Sequence, residues 1–164
     1  MSISPPPGLL LVSVANQSAT LLRADRPVRL YDVSTSKNPP SCVADSFGTP
    51  LGLHEVADKI GADAVPGMVF KGREPTRHFS EYDEQARATN LITSRILRLR
   101  GLEPGVNAGP GRDSYARYIY IHGTNHEERI GRPFSGGCIE MRNTEVIELF
   151  ELLETGDLVW ISDP

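Results

Sequence analysis

The chain has 164 residues and a net charge of −4, from 17 basic and 21 acidic side chains. Its length is that of one ordinary domain, so we expect residues 1–164 to fold as a single unit. The charges are mixed and form no like-charged block, which excludes nucleic acid and anionic membrane surfaces as expected partners. No apolar run reaches the ~20 residues of a membrane-spanning helix.

The N-terminal segment lacks the pattern of a targeting signal. Residues 1–7 have no basic side chain, and Ser13 interrupts the apolar run of residues 9–14. A secretory signal combines a basic start with a longer apolar core. We therefore expect a cytoplasmic protein if Met1 is the native start. If the chain is a trimmed piece of a longer protein, we expect the periplasm or cell envelope.

Short apolar segments separated by turn residues predict a strand-rich first half. The expected strands are residues 9–15, 19–23, 28–34, 54–60 and 65–71. Of these, residues 54–60 also fit a short helix, but their flanking glycines favour a strand. Residues 35–50 are predicted to form a loop, and the polar residues 73–89 are predicted to cross the surface.

The second half contains two further strands before the helix. Residues 91–99 fit both helical and strand spacing, and their β-branched content favours a strand. Apolar and aromatic residues alternate in Tyr118–Ile121, which predicts a half-buried strand that stops at His122-Gly123. Residues 105–111 are predicted to be a glycine-rich turn.

Only residues 144–153 are predicted to be helical, with Val146 and Phe150 on one apolar face. Asn143 is the expected N-cap and Gly156 the expected stop. A last strand over residues 158–161 completes a mainly β domain with one helix.

The stretch from His122 to Cys138 contains the groups for nucleophilic chemistry. His122 ends a strand, and Cys138 follows two glycines sixteen positions later. That separation allows the loop to fold back and place the imidazole beside the sulfur. A Cys with a spatially adjacent His is typical of a thiolate nucleophile, because the free thiol is mostly protonated at neutral pH. The sequence predicts Cys138 as nucleophile and His122 as base.

The remaining cysteine and histidines have simpler interpretations. Cys42 is predicted to be a small buried residue, and His54 and His78 to be surface or structural. His126 lies four residues after His122, so these two and Cys138 imitate a zinc set. A zinc site needs a fourth ligand, which is not evident. The residues after Gly123 are predicted to be a loop, which does not hold residues i and i+4 on one face as a helix does. No metal and no cofactor is therefore expected.

The segment IHGTN, followed by IGRPFSGGCIEMRN, resembles the signature of YkuD-type L,D-transpeptidase catalytic domains. That signature is His-Gly, then Ser/Thr-His-Gly-Cys, an apolar residue, and Arg or Asn. Thr49-Pro50-Leu51-Gly52 resembles the family's Thr-Pro-x-Gly element, and Gln17 with Val33-Ser34-Thr35 resembles its start. The resemblance implies a YkuD-like β-sandwich of short mixed strands, with one C-terminal-half helix and a final strand.

The resemblance also implies roles for individual residues. Cys138, His122 and the main-chain carbonyl of Gly123, which orients the ring, are the expected catalytic groups. An oxyanion needs fixed donors, and the N–H groups of Gly136, Gly137 and Cys138 can converge because glycine permits the turn. The expected substrate-binding residues are Tyr120, Ser135, Glu140 and Arg142. Ser135 is also expected to fix the turn.

Family members attack the bond between an L-centre and the terminal D-Ala of a peptidoglycan tetrapeptide stem. They release D-Ala and hold an acyl-thioester. The resemblance therefore implies an L,D-transpeptidase whose partner is a stem peptide or muropeptide. With water as the acceptor, the same chemistry gives an L,D-carboxypeptidase, which in the cytoplasm would trim recycled muropeptides.

Two residues depart from the family pattern, and they suggest a catalytically impaired stem-peptide-binding domain as a further alternative. Gly136 replaces the motif His, and Glu140 replaces the usual Arg or Asn. A carboxylate two residues from the thiol raises the thiol pKa unless it is paired. Arg132 and Arg142 are close enough in sequence to pair with Glu140, and Arg142 is the favoured partner.

Overall fold

The computed structural model describes residue 4 and residues 6–164. Among them are ten strands: β1 (Gly8–Ser13), β2 (Ser18–Arg23), β3 (Arg26–Asp32), β4 (Gly52–Ile60), β5 (Met68–Lys71), β6 (Glu74–His78), β7 (Ile92–Gly101), β8 (Tyr120–Gly123), β9 (Ile139–Met141) and β10 (Leu158–Ser162). The two α-helices are α1 (Glu84–Arg87) and α2 (Asn143–Leu152). The predicted mainly β fold class is confirmed. In the described part of the chain, no helix is both long and apolar enough to cross a bilayer.

Strand pairing joins all ten strands in one sheet. Eight of them follow in the order β3-β2-β1-β10-β4-β7-β5-β6, and β8 and β9 lie off this path. The strands β1 and β10, from opposite ends of the chain, pair in parallel. The strand β8 pairs antiparallel with β7 and in parallel with β9. The short pair β8–β9 is thus fixed on one side by the ten-residue strand β7.

One main core fills the space between this sheet and α2. Alternate residues of β1, such as Leu10 and Val12, are buried, as expected for strands with one solvated face. Val146, Leu149 and Phe150 are the buried residues of α2. They pack in the same cluster as Ile121 of β8 and Ile139 of β9. The core side of the β8–β9 pair is therefore fully apolar.

Three local expectations need correction. The segment 73–89 does lie at the surface, but it contains β6 and the four-residue helix α1, which Asp83 caps with its carboxylate. The strand β8 begins at Tyr120, because Tyr118 has a φ of 57° that is incompatible with a strand. The helix α2 begins at Asn143, so Arg142, and not Asn143, occupies the N-cap position.

The side chain of Glu127 provides the missing cap for α2. Its carboxylate accepts hydrogen bonds from the main-chain N–H and the side-chain amide of Asn143, both at 2.8 Å. A carboxylate at a helix N-terminus satisfies a free N–H group and complements the helix dipole. The loop after β8 is thereby attached to the start of α2.

Candidate active site

The parallel register of β8 and β9 places four polar or reactive side chains on one face. His122 is the register partner of Glu140, and Ile121 is the partner of Ile139. Side chains alternate along a strand, so the isoleucines face the core while His122 and Glu140 face the other way. Tyr120 and Cys138 lie two residues before His122 and Glu140 and share their face. The tertiary structure therefore brings the predicted nucleophile and base to the same surface.

The ring of His122 is held in one tautomer by the main chain. Its Nδ1 atom lies 2.6 Å from the carbonyl oxygen of Gly123. A carbonyl only accepts, so Nδ1 carries the proton and Nε2 is the free base of the neutral ring. The residue is buried, and desolvation lowers the pKa of His122 to about 4, against a smaller opposing effect of the Gly123 carbonyl. The imidazole is therefore neutral at pH 7.

The thiol of Cys138 is held by the backbone just before and at the start of β8. Its Sγ atom accepts from the N–H of Tyr120 at 3.3 Å and donates to the carbonyl of Tyr118 at 3.5 Å. Among the described residues, no hydrogen bond joins this sulfur to His122. Desolvation raises the pKa of Cys138 to about 12; the N–H of Tyr120 opposes this rise, and Glu140 and Arg117 have smaller effects that raise and lower the pKa, respectively. The resting thiol is protonated.

Glu140 is completely buried, and its partners differ from the expected ones. Its Oε2 atom accepts from the side-chain amide of Asn90 at 2.8 Å. Its Oε1 atom lies 3.6 Å from Nε2 of His122 and has no hydrogen-bond partner among the described residues. Desolvation raises the pKa of Glu140 to about 8, with Asn90 and Arg129 opposing that effect. This carboxyl group is mostly protonated at neutral pH.

The expected pairing of Glu140 with Arg142 is wrong. Arg142 lies at the N-cap of α2, where its guanidinium is 3.4 Å from Asp32 and 3.6 Å from Glu145. Glu140 is buried, so its side chain is not open to solvent. That it contacts substrate stays a prediction.

The turn before Cys138 is fixed by Ser135, as the sequence predicts. The Ser135 hydroxyl donates to the carbonyl of Cys138 at 2.6 Å and accepts from the N–H of Gly137 at 3.2 Å. The N–H of Gly137 is therefore already used. The N–H groups of Gly136 and Cys138 donate to no described residue and remain available for an oxyanion. Ser135 is itself buried and its hydroxyl is used within the turn, so its contact with substrate stays a prediction.

Thr49 fixes the same turn from the opposite side. Its hydroxyl donates to the carbonyl of Gly137 and accepts from the N–H of Ser36, both at 3.0 Å. Gly137 has a φ of 126°, which is accessible to glycine only. The Thr-Pro-x-Gly resemblance thus corresponds to a direct contact with the cysteine loop.

Gly123 is required by a close approach of neighbouring atoms. A β-carbon at this position would lie 2.6 Å from the carbonyl of Thr93 and 2.7 Å from Oδ1 of Asn143. The same Oδ1 atom accepts from the hydroxyls of Thr93 at 2.6 Å and Ser94 at 2.5 Å. Asn143, the residue that was expected to cap α2, instead connects β7 with the loop after β8 and supports the His122-Gly123 backbone.

Tyr120 is a wall of the site and not an exposed contact residue. Its side chain is buried in a cluster with Phe70 and Ile96, against which Cys138 packs. Its hydroxyl accepts from the guanidinium of Arg73 at 3.3 Å. Arg142 is half-buried and its guanidinium is engaged by Asp32. Of the four expected substrate-binding residues, none presents a free polar group to the thiol.

Two cavities lie close to the loop and the apolar cluster that hold Cys138. The first has a volume of about 640 Å³ and includes Gly136, Ile119, Tyr118 and Arg117 in its wall. The second has a volume of about 840 Å³. Its wall shares Phe70 with the apolar cluster that contacts Cys138, and Arg73 and Arg98 also line it. Cys138 itself is in the wall of neither cavity, but residues beside it along the chain or in its apolar cluster line both.

Tyr118 is an active-site residue that the sequence pattern did not single out. Its backbone has a φ of 57° and its carbonyl accepts the thiol hydrogen bond. Its ring lies under the guanidinium groups of Arg73 at 5.1 Å and Arg98 at 4.9 Å. Tyr118 lines the first cavity, whereas both arginines line the second. No local signal predicts this position, since an alternating run places Tyr118 within a strand.

The other histidines and Cys42 have structural contacts. Buried His54 bonds to Gly52 O and Ser114 Oγ, which confirms the structural interpretation. His126 lies beside Glu128 and Thr89 O, at 3.2 and 2.9 Å, in a loop contact. Cys42 is partly buried and its thiol donates to Leu51 O at 3.5 Å. Among the described residues, no group of three metal-binding side chains occurs.

Comparison with known proteins identifies the architecture. The family model of the YkuD L,D-transpeptidase catalytic domain matches residues 7–161. Two Bacillus subtilis proteins, YqjB and YkuD, are provisionally named L,D-transpeptidases. They are 51% identical over 47 residues and 48% identical over 42 residues. These matches cover 29% and 26% of this chain, and 27% and 26% of the relatives.

Solved structures share the fold at low sequence identity. An L,D-transpeptidase from Mycobacterium smegmatis superposes with a TM-score of 0.60 at 16% identity, covering 95% of this chain and 58% of that one. The L,D-transpeptidase 3 of Mycobacterium tuberculosis, in a complex with a faropenem-derived adduct, gives a TM-score of 0.58 at 15% identity, with 96% and 61% covered. The chain therefore spans about three-fifths of these structural relatives.

Proposed function

This chain belongs to the YkuD family of L,D-transpeptidase catalytic domains, and from that premise we propose that it is a cysteine-dependent L,D-transpeptidase of peptidoglycan stem peptides. The observation that supports this most directly is the arrangement on one face of β8–β9. A thiol at Cys138 and a neutral imidazole at His122 stand beside two unused N–H groups, those of Gly136 and Cys138. Nucleophile, base and oxyanion donors are the parts that acyl transfer needs.

In the acylation step, Sγ of Cys138 attacks the carbonyl carbon of the L-centre that precedes the terminal D-Ala. The thiol proton passes to Nε2 of His122, since Nδ1 is committed to Gly123. The N–H groups of Gly136 and Cys138 hold the oxyanion, and one such donor is worth about 3 kcal/mol of barrier. The C–N bond then breaks, the nitrogen of D-Ala takes the proton from His122, and a thioester remains.

In the second step, an acceptor attacks the thioester carbon and gives a proton to Nε2 of His122; the C–S bond breaks, and the proton then returns to the sulfur as the thiol of Cys138. An amine acceptor gives transpeptidation, and water gives an L,D-carboxypeptidase. The two cavities near the cysteine loop favour the amine, because donor and acceptor chains need separate approaches to one carbonyl. The walls of both cavities contain arginine and aspartate side chains, which suit peptides that carry carboxylate and ammonium groups.

A second candidate, a stem-peptide-binding domain with slow chemistry, is favoured by one specific feature. The pKa of Cys138 is raised to about 12, first by desolvation and then by Glu140. A thiolate is the reactive form, so a resting thiol of this kind is a weak nucleophile. In the transpeptidase proposal, proton transfer to His122 in the bound complex overcomes this barrier. In the binding proposal, the thiol keeps its proton in the bound complex and the chemistry stays slow.

Incubation with a disaccharide tetrapeptide, followed by mass spectrometry, separates these functions. A cross-linked dimer or an exchanged D-amino acid supports transpeptidation, and tripeptide alone supports carboxypeptidase activity. Binding without any product, at a pH between ~6 and ~9, supports the slow-binding domain. A Cys138→Ser protein is the matched control for background hydrolysis. Turnover by that control as fast as by the wild type would overturn the cysteine mechanism.

A further inference from the structure

The carboxyl group of Glu140 and the imidazole of His122 face each other in a buried part of the candidate site. Glu140 is fully buried and His122 is 3% exposed. The two groups come from register partners on adjacent parallel strands, and Oε1 lies 3.6 Å from Nε2. Neither atom has another hydrogen-bond partner among the described residues. Two acceptor atoms are thus aimed at each other with nothing between them.

Hydrogen bonds on the far sides of the His122 ring and the Glu140 carboxyl group fix this arrangement. Nδ1 of His122 donates to Gly123 O, which leaves a lone pair on Nε2. Oε2 of Glu140 accepts from Asn90, whose own Oδ1 accepts from the Thr124 hydroxyl at 3.2 Å. Asn90 is therefore oriented with its amide donor toward Glu140. Two opposed lone pairs in a buried site repel, and one proton placed between them removes the repulsion.

We propose that Glu140 and His122 share a single proton, and that Glu140 is a positioning residue that controls when Nε2 of His122 is free to accept the proton of Cys138. This inference rests on the proposed function only for its catalytic consequence. In the one-proton state, the Glu140 hydroxyl donates to Nε2 and occupies the lone pair of the base. When that proton leaves, the carboxylate instead stabilises the imidazolium that forms as Cys138 is deprotonated.

The charged and titratable groups around the pair are few. Cys138 shares the face of β9 with Glu140, and Arg129, on the loop after β8, lowers the pKa of Glu140 from a distance. Arg117 acts on Cys138 and is occupied by the carbonyls of Ser41 and Gly48. None of these provides a neutralising ion pair for Glu140. The proton shared with His122 is the remaining way to avoid an uncompensated buried charge.

The test is an NMR titration of the substrate-free protein, with ¹⁵N detection of the His122 ring and ¹³C detection of the Glu140 carboxyl. We expect both signals to change at one common pH near 8, the pKa to which burial raises Glu140. Coupled groups titrate as a pair, so the step appears at both residues. In Glu140→Gln the step at His122 disappears. A Glu140 carboxyl that titrates at the ordinary value of about 4.3, or a His122 step unchanged in Glu140→Gln, would overturn the inference.

Two further variants separate a shared proton from general disturbance of the site. Asn90→Ala removes the donor that stabilises the carboxylate, so the common step should move to higher pH at both residues. Glu128→Gln changes the exposed carboxylate beside His126, the other close Glu–His pair among the described residues, and should leave the His122 titration as it is. A step that moves in Glu128→Gln, or stays in place in Asn90→Ala, counts against the pair.

The outcome is distinguishable from that of the functional proposal. The NMR titration needs no substrate, so a shared proton can be present in a protein that never turns over a stem peptide. Conversely, product formation whose pH profile is identical in wild type and Glu140→Gln would leave the transpeptidase intact and remove control by Glu140. If the protein is a transpeptidase and Glu140 and His122 also share a proton, the pH step in turnover should coincide with the titration step at His122.

Discussion

The hydroxyl of Thr49 donates a hydrogen bond of 3.0 Å to the main-chain carbonyl of Gly137, 88 residues further along the chain. This contact joins the loop before β4 to the turn that presents Cys138. The same hydroxyl accepts the buried N–H of Ser36. One side chain therefore satisfies two buried main-chain groups and fixes the backbone directly before the nucleophile.

Replacing Thr49 by valine should destabilise the protein by about 1–3 kcal/mol, because a buried donor and a buried acceptor lose their partner at constant shape. We also expect slower turnover, since the turn that carries the free N–H groups loosens. Urea unfolding and product formation measure the two effects. Thr49→Ser keeps the hydroxyl and should retain most of both properties. Equal stability of Thr49→Val and the wild type would contradict this role.

Cys138→Ser should abolish turnover while the protein remains folded, because a hydroxyl without a strong base is a far weaker nucleophile. Mass spectrometry for product and circular dichroism for fold are the measurements. Cys42→Ser is the matched control, since Cys42 only donates to Leu51 O and a serine can do the same. Loss of activity in Cys42→Ser, with Cys138→Ser still active, would show that Cys42 is the nucleophile and that the assignment of Cys138 is wrong.

His122→Ala should reduce turnover by about 10²–10⁴-fold, the range that a general base contributes. The physical reason is that Nε2 of His122 is the only imidazole nitrogen on the face that it shares with Cys138 among the described residues. His126→Ala, which removes an imidazole from the neighbouring loop, should have a small effect. The comparison is kcat at saturating tetrapeptide for both variants. A larger loss of kcat in His126→Ala than in His122→Ala would identify His126 as the base.

Gly123→Ala should be strongly destabilising, by about 1–3 kcal/mol, because the new β-carbon collides with the Thr93 carbonyl and Asn143. Gly136→Ala is the control. No atom lies within 4 Å of a β-carbon at Gly136, and its φ is not in the left-handed region. Chemical denaturation of both variants gives the comparison. Similar stability losses at the two glycines would contradict the crowding argument.

Stability should fall as the pH rises from about 6.5 to 8. In the folded state the pKa of Glu140 is about 8, above the ~4.3 of an unfolded Glu, so the folded form holds the extra proton. The stabilisation is complete below pH ~4.3 and is lost as the pH rises through 8. The lowered pKa values of His54 and His122 act in the opposite sense; they offset part of the fall near pH 6.5 and little of it above pH ~7.2.

One proton of difference corresponds to a slope of at most about 1.4 kcal/mol per pH unit. Urea unfolding at pH 6.5, 7.2 and 8 measures it. Glu140→Gln should remove the fall in this interval, since an amide does not titrate. Cys138 contributes only above its unfolded pKa of about 8.5 and does not interfere. A wild-type curve that is flat or rising between these values would show that Glu140 is ionised in the folded protein.

Much of the fold follows from local patterns. Short apolar segments, turn residues and β-branched content predict β1, β2, β4, β7 and β10 within a few residues. The boundaries fail where a side chain has a tertiary partner. Tyr118 lies outside the strand, where its carbonyl accepts the hydrogen bond of the Cys138 thiol. Asn143 lies inside α2, where its side-chain amide bonds to β7 and to the loop after β8.

By itself, the sequence determined which groups can react, because His-Gly and Gly-Gly-Cys are local patterns with local chemistry. Only the tertiary structure decided what surrounds them. The parallel register of β8 and β9 sets Glu140 opposite His122, and the fold brings Asn90, fifty positions away, onto the same carboxylate. Sequence proximity suggested Arg142 as the partner of Glu140. Strand pairing and burial choose partners by position in space, and they put a histidine there instead.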